Sequence, residues 1–290
     1  MPMLEALAER GPDSTGIALY HHPDDRRWRI SLRRRDPALP WDRVAQAMHT
    51  AVDGADEPEL ESHGDCALLT TSWLPDRARA ALAEASVPVD VLASGRSTEV
   101  VKDVGHARDV CSRTAIAGRA GYQAIGHTRM ATESAVTVLH SHPFSPAPDL
   151  NLVHNGSFSN HASVRRRLQA TGVRFESDND SEVAARVIAH RLHHGDSLEE
   201  AIRCVQSELD GFFTLLVTTP TEFVVVRDAF ACKPAAVAET TAYVAVASEY
   251  RALAALPGIE DATVFEPAPE VVYSWSRDQS TVRVPAGMTA

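Results

Sequence analysis

The 290-residue chain carries a formal net charge of −11, with 44% hydrophobic and 23% charged residues. That size suits one large α/β domain or two modest ones, and the composition is that of an ordinary globular protein. A negative field argues against a nucleic-acid partner, and no apolar run is long enough to span a bilayer, so no membrane association is expected.

The first residues, "MPMLEALAERG", read as a helix end, with Leu4, Leu7 and Ala8 at helical spacing and Gly11-Pro12 as the stop. They hold no basic stretch followed by an apolar core, so an export signal is not expected. "TGIALYHH" reads as a strand and the Arg-rich run Arg26 to Asp36 as its hairpin partner with one solvated face. Residues 41–105 form a weakly marked α/β insertion or sub-domain. It holds a helix in "WDRVAQAMHTAVDG", an acidic loop in "DGADEPELESHGD", a strand in "CALLTTSW", a helix in "PDRARAALAEAS" and a strand in "VDVLASG". From residue 123 onward short apolar strands dominate: "QAIGHT", "LNLVHN", "FFTLLVTT", "EFVVVRD", "AYVAVAS" and "PEVVYSW". Helices are predicted near 160–170, 181–194 and 197–209, with another in "SEYRALAALPG". The order predicts antiparallel sheets covered by helices, an α+β class, in place of a doubly wound parallel sheet.

Cys66, Cys111, Cys204 and Cys232 are scattered without a CxxC pair. That spacing suits the reducing cytoplasm and argues against a zinc site or a disulfide framework. His140, His142 and His154, with His190, His193 and His194, raise the question of a metal. "HSHP" lies in a Pro-rich loop, "HRLHHG" ends a helix where histidines suit the dipole, and no carboxylate completes a ligand set at fixed spacing. Neither metal nor cofactor is expected.

The chemistry concentrates at strand ends. Arg129 follows "QAIGHT", flanked by Thr128 and Thr132; a guanidinium there can grip a carboxylate through two parallel hydrogen bonds or make a structural ion pair. Asn155-Gly156 follows "LNLVH". It reads as a turn, or as a carboxamide N–H beside a glycine N–H that converge on one developing oxyanion. In "ESDNDSEVAARVI", Asn179 and Glu182 have capping-box spacing, and Asp178 and Asp180 exceed what one cap needs. A carboxylate clamp, a partner for an ammonium group and an oxyanion corner together describe a site for an α-amino acid attacked at a side-chain carbonyl.

The blocks "RGPDSTGIALY", "GHTRMATES", "HSHPFS", "HNGSFSN", "NDSEV" and "RDAFACKPA" occur in that order. In this the chain resembles the class II glutamine amidotransferases, N-terminal-nucleophile glutaminases, over essentially its whole length as one domain, 1–290. Its closest flavour is the stand-alone glutaminase subunit of glutamate-synthase-like and N-methylglutamate-synthase-like complexes. The resemblance implies a four-layer αββα sandwich of two antiparallel sheets. It implies that L-glutamine is held by Arg129 at its α-carboxylate and by Asp180 at its α-ammonium, with Thr128 and His127 shaping the strand end. Asn155 and Gly156 would bind the oxyanion, with Arg10 and Asp13 as structural braces. Met130 and Glu133 stand where other branches carry Trp and His. Ammonia would pass to a partner bearing a flavin-dependent synthase fold, within an oligomeric complex.

Family members begin Met-Cys-Gly-Ile, and the exposed cysteine attacks the carboxamide while its own α-amine, of pKa near ~8, acts as base. This chain begins "MPMLEALAERGPDS" and matches the pattern only from the first helix onward. The expectation is therefore a truncated start, a missing first strand and no glutaminase activity in the polypeptide as it stands. The alternative is a non-catalytic amino-acid-binding or regulatory subunit. Cys232 is expected to be a buried structural thiol.

Overall fold

The computed structural model describes residues 1–50, 58–130, 136–277 and 279–283. Thr132 and Glu133, and the end of the helix predicted from Trp41, lie outside the described residues.

The chain opens with α1 (Pro2–Leu7) and a short 3₁₀ turn, then β1 (Ser14–Tyr20), β2 (Trp28–Arg34), α2 (Asp42–Thr50), β3 (Glu59–His63) and β4 (Cys66–Thr71). It continues through α3 (Pro75–Glu84), β5 (Val89–Gly95), β6 (Thr98–Val104), α4 (Ala107–Arg113), β7 (Gln123–Arg129), β8 (Phe144–Ala147) and β9 (Leu150–Phe158). Three helices follow: α5 (His161–Ala170), α6 (Asp180–His193) and α7 (Leu198–Glu208). The remainder comprises β10 (Gly211–Thr218), β11 (Glu222–Arg227), β12 (Ala236–Glu239), β13 (Val244–Ala247), the single turn α8 (Tyr250–Leu253), β14 (Thr263–Phe265), β15 (Tyr273–Ser276) and β16 (Gln279–Arg283).

A six-stranded sheet, ordered β16-β15-β11-β10-β9-β8, is antiparallel throughout. One face carries α5, α6 and α7, sealed by Leu152, Phe158, Ile188, Ile202 and Leu215 in the largest apolar cluster. Two three-stranded sheets, β6-β1-β7 and β13-β12-β14, share the other face. Ala18, Val100 and Ile125 of the first meet Val153 and Leu216, whereas Val237 and Val246 of the second meet Val225, Tyr273 and Trp275. Helix α4 lies against the outer face of the first with Met1 and Leu4 of the α1 segment. Met3, Ala6 and Leu7 reach the second beside α8. The layers are thus helix, sheet, paired half-sheets and helix: the αββα sandwich expected.

The predicted β1–β2 hairpin does not form. All seven residues of β1 are buried, so both faces and both edges need cover, and β1 lies between β6 and β7. Strand β2 joins β3, β4 and β5 in a separate four-stranded sheet with its own core of Ile30, Leu32, Met48 and Leu69. Its arginines are used in ion pairs, Arg33 to Asp103 at 2.8 Å and Arg34 to Asp65 at 2.8 Å. The acidic stretch read as a loop supplies β3, an edge strand on β4 with Glu59 and Glu61 exposed.

Ile188 is fully buried where α6 meets the large sheet. Ile188→Ala should lower unfolding free energy by about 2–5 kcal/mol, read from the shift in denaturant midpoint at constant slope. A loss below about 1 kcal/mol would mean that α6 does not pack as described.

Candidate functional site

Strand alternation decides which way the residues of β7 point. Gly126 and Thr128 face α1: a Cβ on Gly126 would lie 3.1 Å from Leu4, and the Thr128 hydroxyl donates to the Leu7 carbonyl at 3.1 Å. Thr128 therefore anchors α1. Ile125, His127 and Arg129 face the six-stranded sheet, and Arg129 is buried. Gly11 crosses behind this strand end so closely that a Cβ would fall 2.3 Å from the Thr128 carbonyl carbon. Asp13 donates its N–H to the Arg129 carbonyl at 3.0 Å, and Arg10 pairs with Glu249. The "RGPD" block thus braces the strand end.

Opposite β7, β9 carries His154, Asn155 and Gly156 in register with Leu215, Thr214 and Phe213. Asn155-Gly156 belongs to a strand interior and is not an isolated turn. At φ +151°, Gly156 has Phe212 O only 1.9 Å from the place of a Cβ.

The N-terminus of α6 faces the same space. Asn179 caps it by accepting the Ser181 N–H at 2.8 Å. Glu182 does not close the capping box; it accepts from the Glu176 and Ser177 N–H groups at 2.9 and 2.7 Å. Asp178 points outward and pairs with His140. Asp180 keeps one oxygen on the Phe158 N–H at 2.8 Å and the other near the Ser181 hydroxyl at 3.3 Å.

These elements enclose a cavity of about 1830 Å³. His127, Thr128, Arg129, Asn155, Gly156 and Asp180 all line it. It exceeds the roughly 300–1,000 Å³ of ordinary ligand sites. Along one side run β7 and β13, each the last strand of its half-sheet among the described residues, with Met1 and Leu4 above them. Burial lowers the pKa of Arg129, while the carboxylates of Asp13 and Asp180 oppose that shift and favour the charged guanidinium.

The sequence reading did not foresee a column of histidines beneath the cavity, with His142 and His154 buried and His127 partly buried. His127 stacks on His142 at 4.3 Å, and His142 meets the edge of His154 at 6.5 Å. His154 stacks on Phe158 at 4.5 Å. Lys102, buried on β6, fixes the middle ring by donating to the carbonyls on either side of it, Ser141 at 3.0 Å and Pro143 at 3.2 Å. Burial pushes Lys102 down to about 8. The signal lay in "HSHPFS" and "VHNG", but these rings meet only through the fold. At the far end of α6, His194 Nδ1 bonds the His190 carbonyl at 2.7 Å, as a helix C-terminus favours. Among the described residues, no group of three or more His, Cys, Asp or Glu is placed to hold a metal ion.

Burial pushes His127 down to about 4 and lowers His142 and His154 as well, so the column is neutral at pH 7. In the unfolded chain such rings protonate near ~6.5. Between about 6.5 and 4 the unfolded state therefore binds more protons, and stability is complete above that window and falls as the pH drops through it. Each ring contributes a slope of up to about 1.4 kcal/mol per pH unit. Denaturant midpoints at pH 7.5, 6 and 5 should decline steadily; equal midpoints at 7.5 and 5 would contradict this burial.

Of the cysteines, Cys66 and Cys111 are buried in the cluster around Ile17 and Val101, away from this site. Cys232 is exposed, contrary to expectation. Asp228 accepts the Phe230 and Ala231 N–H groups at 2.8 and 3.2 Å, and the resulting bend turns the next residue outward. Lys233 follows and lines the cavity, its carbonyl fixed by Thr214 at 2.8 Å.

A glutamine amidotransferase domain family matches residues 127–255, which include every candidate site residue. A Rhizobium meliloti (strain 1021) protein, glutamine amidotransferase-like protein GlxB, is 42% identical over 96% of this chain and 92% of its own length. A putative glutamine amidotransferase of Methanothermobacter thermautotrophicus is 32% identical, over 93% and 92% respectively. In structure, the chain is similar to the glutamine PRPP amidotransferase from B. subtilis with a TM-score of 0.60 at 18% identity, a likeness of fold alone. It spans 97% of this chain and only 45% of that one.

Proposed function

The chain belongs to the class II glutamine amidotransferases, and from that premise we propose that its cavity binds L-glutamine. The α-carboxylate lies on the Arg129 guanidinium and the α-ammonium at Asp180. The side-chain carbonyl points into the Asn155–Gly156 corner, where two N–H groups meet the charge that develops on attack. The observation that carries this reading is convergence. Groups from β7, β9 and the start of α6 line one cavity, with Arg129 and Asp180 close enough to influence each other's charge.

By the route of this family, hydrolysis of the amide uses a thiolate with a base beside it. Among the described residues no cysteine lines the cavity. We therefore assign to this 290-residue polypeptide glutamine binding without turnover. In a form carrying a cysteine with a free α-amine, the space between β7 and β13 is where the nucleophile would enter. The family resemblance suggests that ammonia released there would go to a partner synthase of the flavin-dependent kind. The same lack of a cavity-lining thiol also favours a second reading, a non-catalytic amino-acid-binding subunit.

Titration calorimetry with glutamine, together with an ammonia-release assay on the purified chain, tests the proposal. The expected result is saturable binding and no ammonia above the uncatalysed background. Absence of binding removes the glutamine site; ammonia release at a rate that scales with protein removes the non-turnover assignment.

A further inference from the structure

A buried hydrogen-bonded line connects the strand bearing Asn155 with the carboxylate of Asp180. His154 Nδ1 lies 2.8 Å from Ser181 Oγ, and Ser181 Oγ lies 3.3 Å from Asp180 Oδ1. His154 and Ser181 are 3% and 2% exposed, so water does not compete for these groups. Their proton order follows from donor chemistry. An ionised carboxylate only accepts, so the single hydroxyl proton of Ser181 goes to Asp180. That leaves the Ser181 oxygen as acceptor, and His154 must donate from Nδ1.

We propose that Ser181 and His154 are positioning residues of the amino-acid site, a relay that holds Asp180 in register with Asn155–Gly156 and confines His154 to its Nδ1–H tautomer. The relay rests on the reading of Asp180 as the partner of the substrate ammonium. Burial keeps His154 uncharged, with Phe158 and His142 packed on its ring, and the charge of Lys233 from the loop after β11 acts in the same direction. Asp180 alone opposes them. His154 Nε2 is then a bare, buried nitrogen directly behind Gly156, 2.7 Å from the place of a Cβ there and without a hydrogen-bond partner among the described residues. A polar atom left so at a cavity wall fits a ring held for its other nitrogen.

The test combines imidazole ¹⁵N spectroscopy of the full chain with calorimetry. At pH 7.5 His154 should carry its proton on Nδ1. Ser181→Ala should abolish the His154 tautomer preference and weaken glutamine binding by about tenfold, as loss of a hydrogen bond to a charged group implies. Ser181→Thr, which restores a hydroxyl, should recover both signals. Where Ser181→Ala fails to fold, His154→Asn, which retains a donor at the Nδ1 position, should keep the affinity that His154→Leu loses. An Nε2–H tautomer for His154 in the unaltered chain overturns the relay. So does a folded Ser181→Ala protein, or His154→Leu in its place, that binds glutamine with undiminished affinity. If the unaltered chain does not bind glutamine, the ligand assignment fails by itself, and the tautomers of His154 with and without the Ser181 hydroxyl still decide whether the relay exists.

Discussion

Arg129→Ala is expected to weaken glutamine binding by about 3 kcal/mol, a factor of roughly one hundred. The guanidinium is buried at the end of β7 and faces the cavity from within a sheet. A carboxylate arriving there leaves water for a group that offers two parallel donors, and charge-assisted bonds of that kind are the strong ones. Removing the guanidinium strips the ligand carboxylate of its partner and leaves the Asp13 and Asp180 charges with one cation fewer, so the local field becomes repulsive to an amino acid's acid end. Arg129→Lys should recover only part of the affinity, because an ammonium cannot reproduce the planar fork. Calorimetry on the folded variants reads the effect directly. Retention of affinity within about threefold of the unaltered chain would mean that the α-carboxylate binds elsewhere.

Which features could be read from the sequence follows from how local their determinants are. Strands β7, β9, β10 and β11 announce themselves as short apolar runs, and the turn "TTPTE" joins two of them as expected. Arg129 and Asn155-Gly156 stand out because each sits at the end of such a run. The β1 error has a different origin. Adjacent strands usually pair, but "TGIALY" is apolar on both faces, which demands a central place between β6 and β7 that chain order cannot reveal. Strand β12 went unnoticed because "AVAE" is short and small-residued; its place comes from pairing with β13 and β14. The histidine column was least legible. His127, His142 and His154 belong to three separate segments, and only the stacking of one sheet on another brings their rings together. Ser181 carried no signal of its own beside the cap residues Asn179 and Glu182, because the partner of its hydroxyl depends on where His154 lies.

Gly156→Ala should cost about 3 kcal/mol of stability or more and remove glutamine binding from whatever fraction folds. Two penalties coincide. At φ +151° an L side chain is strained whatever space surrounds it, and here there is none: the new Cβ would meet Phe212 O at 1.9 Å, His154 Nε2 at 2.7 Å and Phe213 Cα at 2.8 Å. Two of these obstacles are backbone atoms of β10, paired with β9 in the middle of the six-stranded sheet, so no rotamer change can relieve the contact. Relief must come from separating or re-registering β9 and β10. Because side chains alternate faces, even a one-residue slip would turn Asn155 away from the cavity and carry the residue 156 N–H with it. Gly172→Ala is the control for strain without collision: its φ is +92°, and among the described residues no atom lies within 4 Å of a Cβ there. That variant should lose only about 1–2 kcal/mol and keep its affinity for glutamine. Equal stability of the two variants, with glutamine affinity intact in both, would show that β9 does not run in this register past Gly156.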